Sequence, residues 1–327
     1  MSTIKDVARL AKVAPSTISN VLNGTKHVSP ETEMRIRDAI QALNYSPNFA
    51  ARSLKRNGSN MIGVLTPNVT NFFFDYILDA LDARLIESNY QSIICNFYED
   101  RQRGTDLLQR MVNQGVAGLI LIEAAPVIDL SPAIEKNIPM VSVDVRSNVT
   151  DHNILVDNYE GGYMATDLLC RKGCRRILHI SQSVKAEAYL DRLYGYRNAL
   201  QSHGLSYDDS LVIESAPKYD QAVQDMNVFL GRNIPFDGVF AASYHLAAGA
   251  LIALVNAGYR VPEDIKLVGF DDPIDASYTI PPMTSVYQPM REMGTLAAEL
   301  ILSTIEKRPE SPQLHILKTT LFERETT

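Results

Sequence analysis

The sequence predicts a small all-α head and a hinge helix, joined to an α/β body of two parallel-sheet subdomains. Residues 3–43 carry apolar side chains at helical spacing. From Met61 onwards, short apolar runs alternate with amphipathic stretches, which is typical of parallel sheets flanked by helices. The 327 residues exceed what one hydrophobic core normally organises, so two or three domains are expected.

Three short helices are predicted in the head. The first is indicated by apolar residues at helical spacing, namely Ile4, Val7, Ala8 and Ala11. Thr3 and Asp6 form a capping pair at its start, and residues 12–14 form a turn. Pro15 suits the first position of a second helix, where a missing N–H costs nothing. The third helix is expected from Ser29 to about Leu43.

The second helix is expected to turn Ile18, Val21 and Leu22 inward and to end at Asn23-Gly24. Its outward residues are small and mostly polar: Pro15, Ser16, Thr17, Ser19 and Asn20. Two short helices with such an exposed face indicate a DNA-reading helix-turn-helix. The alternative is an ordinary three-helix bundle, because helix-turn-helix spacing alone is only moderately specific.

The charge is unevenly distributed along the chain. The net charge is −7, yet residues 1–57 contain nine Lys and Arg against four Asp and Glu. The other 270 residues contain 22 basic and 34 acidic side chains. A basic head on an acidic body is expected when only the head meets phosphate. The stretch 45–56 is helix-capable, half apolar and half basic, which is unusual for a passive linker.

The body shows no pattern that supports catalysis. Its strands are predicted at 61–66, 92–95, 117–122, 140–144, 176–181, 238–243 and 265–272. Its helices are predicted at 74–89, 101–114, 161–172, 192–203, 219–231, 246–258 and 294–304. No phosphate-binding glycine loop, nucleophile elbow or zinc-protease spacing occurs. Cys170 and Cys174 are interpreted as buried thiols, so neither a metal site nor a cofactor is expected.

The segments TIKDVARLAKVAPSTISNVLN, VSPET, NYSPN and AARSL resemble the LacI/GalR family of bacterial transcription regulators, and the resemblance covers nearly the whole chain. It implies a recognition helix in the major groove and a hinge helix in the minor groove, with Leu54 wedged between base pairs. The recognition residues that it implies are Pro15, Ser16, Thr17, Ser19, Asn20 and Asn23. The hinge residues that it implies are Asn48, Ala51, Arg52, Leu54 and Lys55.

Two head positions depart from the family pattern. The family usually has Ser at position 14 and Arg at position 20, where this chain has Ala14 and Asn20. Asn pairs with adenine, whereas Arg prefers guanine. The operator half-site is therefore expected to deviate from the common one.

For the body, the resemblance implies a periplasmic-binding-protein-like fold with a ligand in the cleft. It implies a DNA-binding domain at 1–45 and a hinge with linker at 46–59. It implies an effector-binding N-subdomain at 60–158 and 287–317, and a C-subdomain at 159–286 and 318–327. Ligands lie outside the carboxyl ends of parallel strands. The effector residues expected there are Asn71, Phe72, Phe73, Glu123, Arg192, Ser243, Tyr244, His245 and Asp271.

Several of these residues have expected roles. By the same resemblance, Arg192 matches an arginine that grips the effector, and its fork suits hydroxyl pairs, carboxylate or phosphate; the alternative is a surface ion pair. Asp271 matches a carboxylate that accepts hydrogen bonds from sugar hydroxyls. Asp272 is expected to be its solvated neighbour. Where many relatives carry Asn-Asp, this chain has Ser243-Tyr244, which removes a carboxylate from the cleft. That change favours a sugar phosphate, an acidic sugar or a partly apolar sugar derivative.

The expected function is an effector-controlled repressor of carbohydrate-metabolism genes. It is expected to bind a palindromic operator as a homodimer in the cytoplasm, with a small-molecule sugar effector and no membrane partner. One alternative is the solute-binding protein of a sugar transporter, which the head and the absence of a signal-like N-terminus disfavour. The other is a sugar-acting enzyme with a DNA-binding head, which the missing catalytic motifs disfavour.

Overall fold

A computed structural model describes residues 3–23, 28–44, 59–182, 186–216 and 218–327, without the side chains of Leu22 and Asn23. The chain forms two compact units, Met1–Ser59 and Asn60–Thr327. In the described residues, no helix is long and apolar enough to cross a bilayer.

The head contains the three expected helices, which are α1 (Ile4–Ala11), α2 (Pro15–Asn23) and α3 (Pro30–Ala42). At the start of α1, the backbone N–H of Thr3 donates to Asp6 Oδ2 over 2.9 Å, and the Thr3 hydroxyl donates over 2.7 Å. Lys12 ends α1 in the left-handed region, with φ of 54°. Ser29 caps α3 by accepting the N–H of Thr32.

One small core joins the three helices of the head. It consists of Val7, Ala8, Ala11, Ile18, Ile36 and Ala39. Ile18 is the contribution of α2, and it is fully buried. Because Ile18 faces inward, Pro15 and Ser16 are left exposed on α2.

The first sheet of the body is entirely parallel, with the strand order β11-β5-β4-β3-β1-β2. Its strands are β1 (Met61–Thr66), β2 (Gln91–Asn96), β3 (Gly118–Ile122), β4 (Met140–Val143), β5 (His152–Val156) and β11 (Gln313–Leu317). Its helices are α4 (Phe72–Glu87), α5 (Arg101–Gln114), α6 (Ser131–Glu135) and α11 (Met290–Glu306).

The second sheet has the order β12-β10-β9-β8-β6-β7, and only β12 is antiparallel to its neighbour. Its strands are β6 (Ile177–Ser181), β7 (Val212–Glu214), β8 (Gly238–Ala241), β9 (Lys266–Asp271), β10 (Thr284–Tyr287) and β12 (Thr320–Phe322). Its helices are α7 (Asn158–Arg171), α8 (Glu187–Ser202), α9 (Tyr219–Leu230) and α10 (Tyr244–Asn256).

The chain passes between the two sheets three times, after β5, after β10 and after β11. Each sheet carries its own apolar cores on its two faces. The domain boundaries given above stay a prediction.

Five body helices begin earlier than their apolar periodicity indicates, and two of these, at Glu187 and Met290, have no side-chain cap. The other three begin at Phe72, Asn158 and Tyr244 rather than at 74, 161 and 246. In each of these three cases a polar side chain just before the helix accepts a backbone N–H of the first turn. Asn71 accepts the N–H of Phe73, Asp157 accepts that of Glu160, and Ser243 accepts that of Leu246. The caps therefore fix the starts of these helices, which apolar periodicity alone does not locate.

Candidate functional site

Each sheet has a topological switch point. There the first strand of the sheet has the next two strands of the chain on opposite sides. These points lie between β1 and β3 and between β6 and β8. Ligands bind outside the carboxyl ends of strands at such points. Thr66 ends β1 and Ser181 ends β6, and both residues are fully buried. Neither hydroxyl has a hydrogen-bond partner among the described residues, so each has capacity left to bind a ligand.

Arg192 is the central charged group of the cleft, and it is only 2% exposed. Its Nε donates to Asn158 Oδ1 over 2.8 Å, and its Nη1 donates to the carbonyl of Ala242 over 2.5 Å. The guanidinium carbon lies 3.8 Å from the ring centroid of Phe270 and 5.0 Å from that of Tyr189. These contacts hold the guanidinium in place, so its position does not depend on a ligand.

Asp271 lies beside this guanidinium, with 3.9 Å between Arg192 Nη1 and Asp271 Oδ1. Asp271 Oδ2 accepts the N–H of Tyr244 over 3.2 Å, and Oδ1 accepts from Gln288 Nε2 over 2.6 Å. Gln288 is 1% exposed, and its Oε1 has no partner within the described part of the chain. The structure thus brings the predicted residues Arg192 and Asp271 together and adds Gln288.

The expectation that Asp272 is solvated was wrong. Asp272 is 9% exposed and forms a two-pronged ion pair with Arg324, over 2.5 Å and 2.9 Å. Arg324 also donates to the carbonyl of Met283 over 2.7 Å. The partner comes from the C-terminal segment, 52 residues further along the chain, so adjacent sequence gave no indication of it. Asp272 is therefore engaged in packing the second sheet.

Glu123 and Asp144 follow the neighbouring strands β3 and β4, and their carboxyl groups are hydrogen-bonded to each other. Loss of hydration and the negative charge of Asp144 raise the pKa of Glu123 well above its usual range. Loss of hydration, opposed by Arg192 and aided by Asp271, raises the pKa of Asp144 to about 6. Glu123 therefore keeps its proton to higher pH than an ordinary glutamate does, and Asp144 accepts the hydrogen bond from it.

Aromatic rings form another wall of the cleft. Phe72 on the first subdomain stacks on His245 of the second, with ring centroids 5.6 Å apart and an interplanar angle of 19°. Phe72 also meets Tyr244 edge-on at 5.9 Å, and Tyr219 lies 4.5 Å from the His245 ring. Burial lowers the pKa of His245, so this wall is uncharged at neutral pH.

Three predicted effector residues have structural contacts of their own. Phe73 is 6% exposed and belongs to the core of the first subdomain. The side-chain oxygen of Asn71 caps α4, and the hydroxyl of Ser243 caps α10. Ser243 nonetheless lies directly after the carbonyl of Ala242 that Arg192 contacts.

The predicted DNA contacts lie on α2. Pro15 and Ser16 are exposed, and Thr17, Ser19 and Asn20 are half-buried. Asn23 is the last residue of α2, but its side chain is outside the described part. The hinge residues also lie outside the described residues, namely Asn48, Ala51, Arg52, Leu54 and Lys55.

Sequence reasoning missed Asn158, Tyr189, Tyr219 and Gln288 as members of the cleft. Tyr189 lies one helical turn before Arg192, so its position on the same face of α8 was a usable signal. Asn158 and Gln288 follow β5 and β10 where the chain changes sheet. Neither of those two strands was predicted, so no strand end drew attention to these residues.

A helix-turn-helix head and a two-lobed body with a polar cleft together define a ligand-responsive DNA-binding regulator. Residues 3–48 match the model of bacterial regulatory proteins of the lacI family. Residues 166–327 match the model of the periplasmic binding protein-like domain.

Similar proteins cover the whole chain. The HTH-type transcriptional repressor PurR of Vibrio atlanticus (strain LGP32) is 31% identical, covering 100% of this chain and 98% of that protein. The ribose operon repressor of Halalkalibacterium halodurans is 33% identical, covering 100% and 97%. The chain therefore belongs to the lacI family of bacterial regulatory proteins, and it is a transcriptional regulator rather than an enzyme.

Solved structures agree in fold. A complex of the transcriptional regulator CelR with cellobiose has a TM-score of 0.76 and 31% identity, covering 100% of both chains. The lac repressor dimer bound to operator and the anti-inducer ONPF has a TM-score of 0.86 and 26% identity, covering 100% of this chain and 99% of that one. The expected LacI-like fold is thereby confirmed.

Proposed function

We propose that this regulator is a repressor of carbohydrate-metabolism genes that binds a palindromic operator as a homodimer, with a sugar or sugar derivative in the cleft. The observation that carries the effector proposal is the buried, fixed guanidinium of Arg192 beside Asp271. Relatives named as repressors and a lac repressor dimer on its operator support the DNA side of the proposal.

The groups of the cleft suit a polyhydroxyl ligand with one apolar face. Thr66, Ser181 and Gln288 each carry a buried polar atom without a partner in the described residues. A buried polar atom is costly unless it is hydrogen-bonded, so such atoms favour a ligand with several hydroxyls. The Phe72–His245 wall offers stacking area for the apolar face of a sugar ring.

The acids of the cleft disfavour an anionic effector. The loss of a carboxylate at Ser243-Tyr244 suggested a sugar phosphate or an acidic sugar. Glu123 and Asp144, however, supply carboxyl groups from the opposite subdomain, and Asp271 adds another beside Arg192. We therefore propose an effector that carries no phosphate or carboxylate.

On the DNA side, we propose that α2 lies in the major groove and that Pro15, Ser16 and Asn20 contact base edges. Hinge residues that include Arg52 and Leu54 are proposed to bind the minor groove at the operator centre. Effector closure of the cleft would then change operator affinity, and operator binding would change effector affinity by the same factor. The site of action proposed for this switch is the cytoplasm.

The experiment is a titration of a fluorescent palindromic duplex with the full chain, at several salt concentrations. We expect affinity to fall steeply as salt rises, because the basic head displaces counterions from phosphate. A thermal-shift screen of neutral sugars and sugar phosphates on the same protein then identifies the effector class. Stabilisation by sugar phosphates alone, or salt-independent DNA binding, would contradict the proposal.

A further inference from the structure

A second cavity lies beside the points where the chain crosses between the two sheets. Its volume is about 350 Å³, and both subdomains line it. Asp157 and Asn158 line it at the first crossover, and Ile316 lines it near the third. We call it the crossover cavity. Its size is within the range of small-molecule sites.

The crossover cavity is strongly acidic. Asp144, Asp157, Glu187 and Asp191 line it, and Arg146 is the one basic residue among the described residues of its lining. Arg146 Nε already pairs with Glu187 Oε1 over 2.6 Å. The carboxylate of Asp191 receives no hydrogen bond or close ion pair within the described ranges. Loss of hydration and the nearby Glu187 raise the pKa of Asp191, as expected for an acid among acids.

Asp144 connects this cavity with the cleft around Arg192. It lines the crossover cavity, and it also shares a hydrogen bond with Glu123. Its side chain is 9% exposed, and its Oδ1 has no hydrogen-bond partner in the described part of the chain. A buried carboxylate oxygen in this state is costly unless a ligand donates to it. This oxygen is a second observation, independent of the acidic lining, that points to a ligand.

The donor that suits these groups is an ammonium group. The described residues include no cluster of three or more His, Cys, Asp or Glu side chains placed to hold a metal ion. An ammonium needs no such coordination shell, and it donates three charge-assisted hydrogen bonds to separate carboxylates. We infer that the effector is an amine-bearing sugar whose protonated amine lies in the crossover cavity beside Asp144 and Asp191. This inference rests on the proposed sugar effector.

The test compares amino sugars with their parent sugars on the full-length protein. Isothermal titration calorimetry at neutral pH uses glucosamine, galactosamine and mannosamine, each against its parent sugar and its N-acetyl form. We expect at least one amine to bind about tenfold more tightly than both neutral counterparts, as one charge-assisted hydrogen bond would give. The N-acetyl form separates the effect of charge from that of the extra atoms.

A pair of matched variants locates the amine. Asp191→Asn keeps the shape of the cavity and removes one carboxylate, so the amine should lose about tenfold in affinity while the parent sugar is unaffected. Asp209→Asn removes an exposed carboxylate that does not line the cavity, and it should leave both affinities unchanged. Retained binding of the parent sugar by Asp191→Asn shows that the variant is folded.

Each outcome bears on the inference. A parent sugar that binds as tightly as its amine overturns the inference and leaves the proposed sugar-responsive repressor standing. Equal losses of amine affinity in Asp191→Asn and Asp209→Asn also overturn it, because only overall charge would then matter. If no probe binds, the inference is overturned, while the thermal-shift screen and the operator titration still report separately on the sugar class and on DNA binding.

Discussion

Asp144→Asn should stabilise this protein at neutral pH. Asp144 is 9% exposed and lies in an acidic surrounding with Glu123 and Asp271, so its ionised form is costly in the folded state. Asparagine has nearly the same shape, and its carbonyl oxygen can still accept the proton of Glu123. The substitution therefore removes a buried charge and keeps a hydrogen bond.

The size and sign of the effect follow from proton linkage. The pKa of Asp144 rises from its ordinary value of 3.8 to about 6 on folding. Between these two values the folded protein binds a proton that the unfolded chain has released, so the free energy of unfolding falls as pH rises. Raising the pH through this whole range lowers the wild type's free energy of unfolding by about 2–3 kcal/mol. Asp144→Asn escapes this loss, so its advantage should be full at neutral pH and absent at about pH 4.

The assay is urea unfolding followed by far-UV circular dichroism, because the chain contains no tryptophan. Curves are measured from acidic to neutral pH for the wild type and for two variants. Asp264→Asn is the matched control, and its expected effect on stability has the opposite sign. Hydrogen bonds from Arg260 lower the pKa of Asp264 to about 2, so its ionised carboxylate stabilises the folded state. Removing that exposed carboxylate should cost a little stability at neutral pH. If Asp144→Asn is less stable than the wild type at neutral pH, the buried-charge reasoning is refuted.

Gly195→Ala should destabilise the body by about 1–3 kcal/mol in urea unfolding, because its Cβ would lie 2.2 Å from the carbonyl oxygen of Tyr159. Gly231→Ala meets nothing closer than 3.5 Å and should be neutral or slightly stabilising, and equal losses would contradict the packing argument. Arg192→Lys should weaken effector binding at least tenfold by calorimetry, because lysine lacks the planar fork; an unchanged affinity would remove Arg192 from the site. Asn20→Arg should shift the base preference in an operator selection rather than abolish binding, and an unchanged preference at every position would exclude a base contact.

Local patterns predicted much of this fold, since they depend on neighbours in sequence. The seven apolar runs all correspond to strands, and the head helices lie where spacing and caps placed them. The carboxyl ends of those strands drew attention to Glu123 and Asp271, whose carboxyl groups both lie near Arg192. The unpredicted strands are short. Some end a subdomain, and β7, β11 and β12 lie at a sheet edge. Their residues carry less of the continuous apolar pattern that marks a buried strand.

Long-range pairing set the limits of prediction. Arg192 meets Asn158 across 34 residues, and Asp272 meets Arg324 across 52. Nothing near Asp271 and Asp272 in sequence distinguishes the carboxylate in the cleft from the one in a structural ion pair. Only the fold distinguishes them, because it places the Arg324 guanidinium against Asp272 and the Arg192 guanidinium near Asp271.

The acids of the cleft show that a single substitution does not set the charge of a binding site. Ser243-Tyr244 lacks the carboxylate that the family resemblance implies, which suggested a sugar phosphate, an acidic sugar or a partly apolar sugar derivative. The field in the cleft depends on all charges around it, and the carboxyl groups of Glu123, Asp144 and Asp271 all lie near the single guanidinium of Arg192. Asp144 is costly to the folded state, so Asp144→Asn should gain stability while losing a carboxylate that a cationic ligand needs. Such an exchange of stability for function is expected of a binding residue and not of a packing residue.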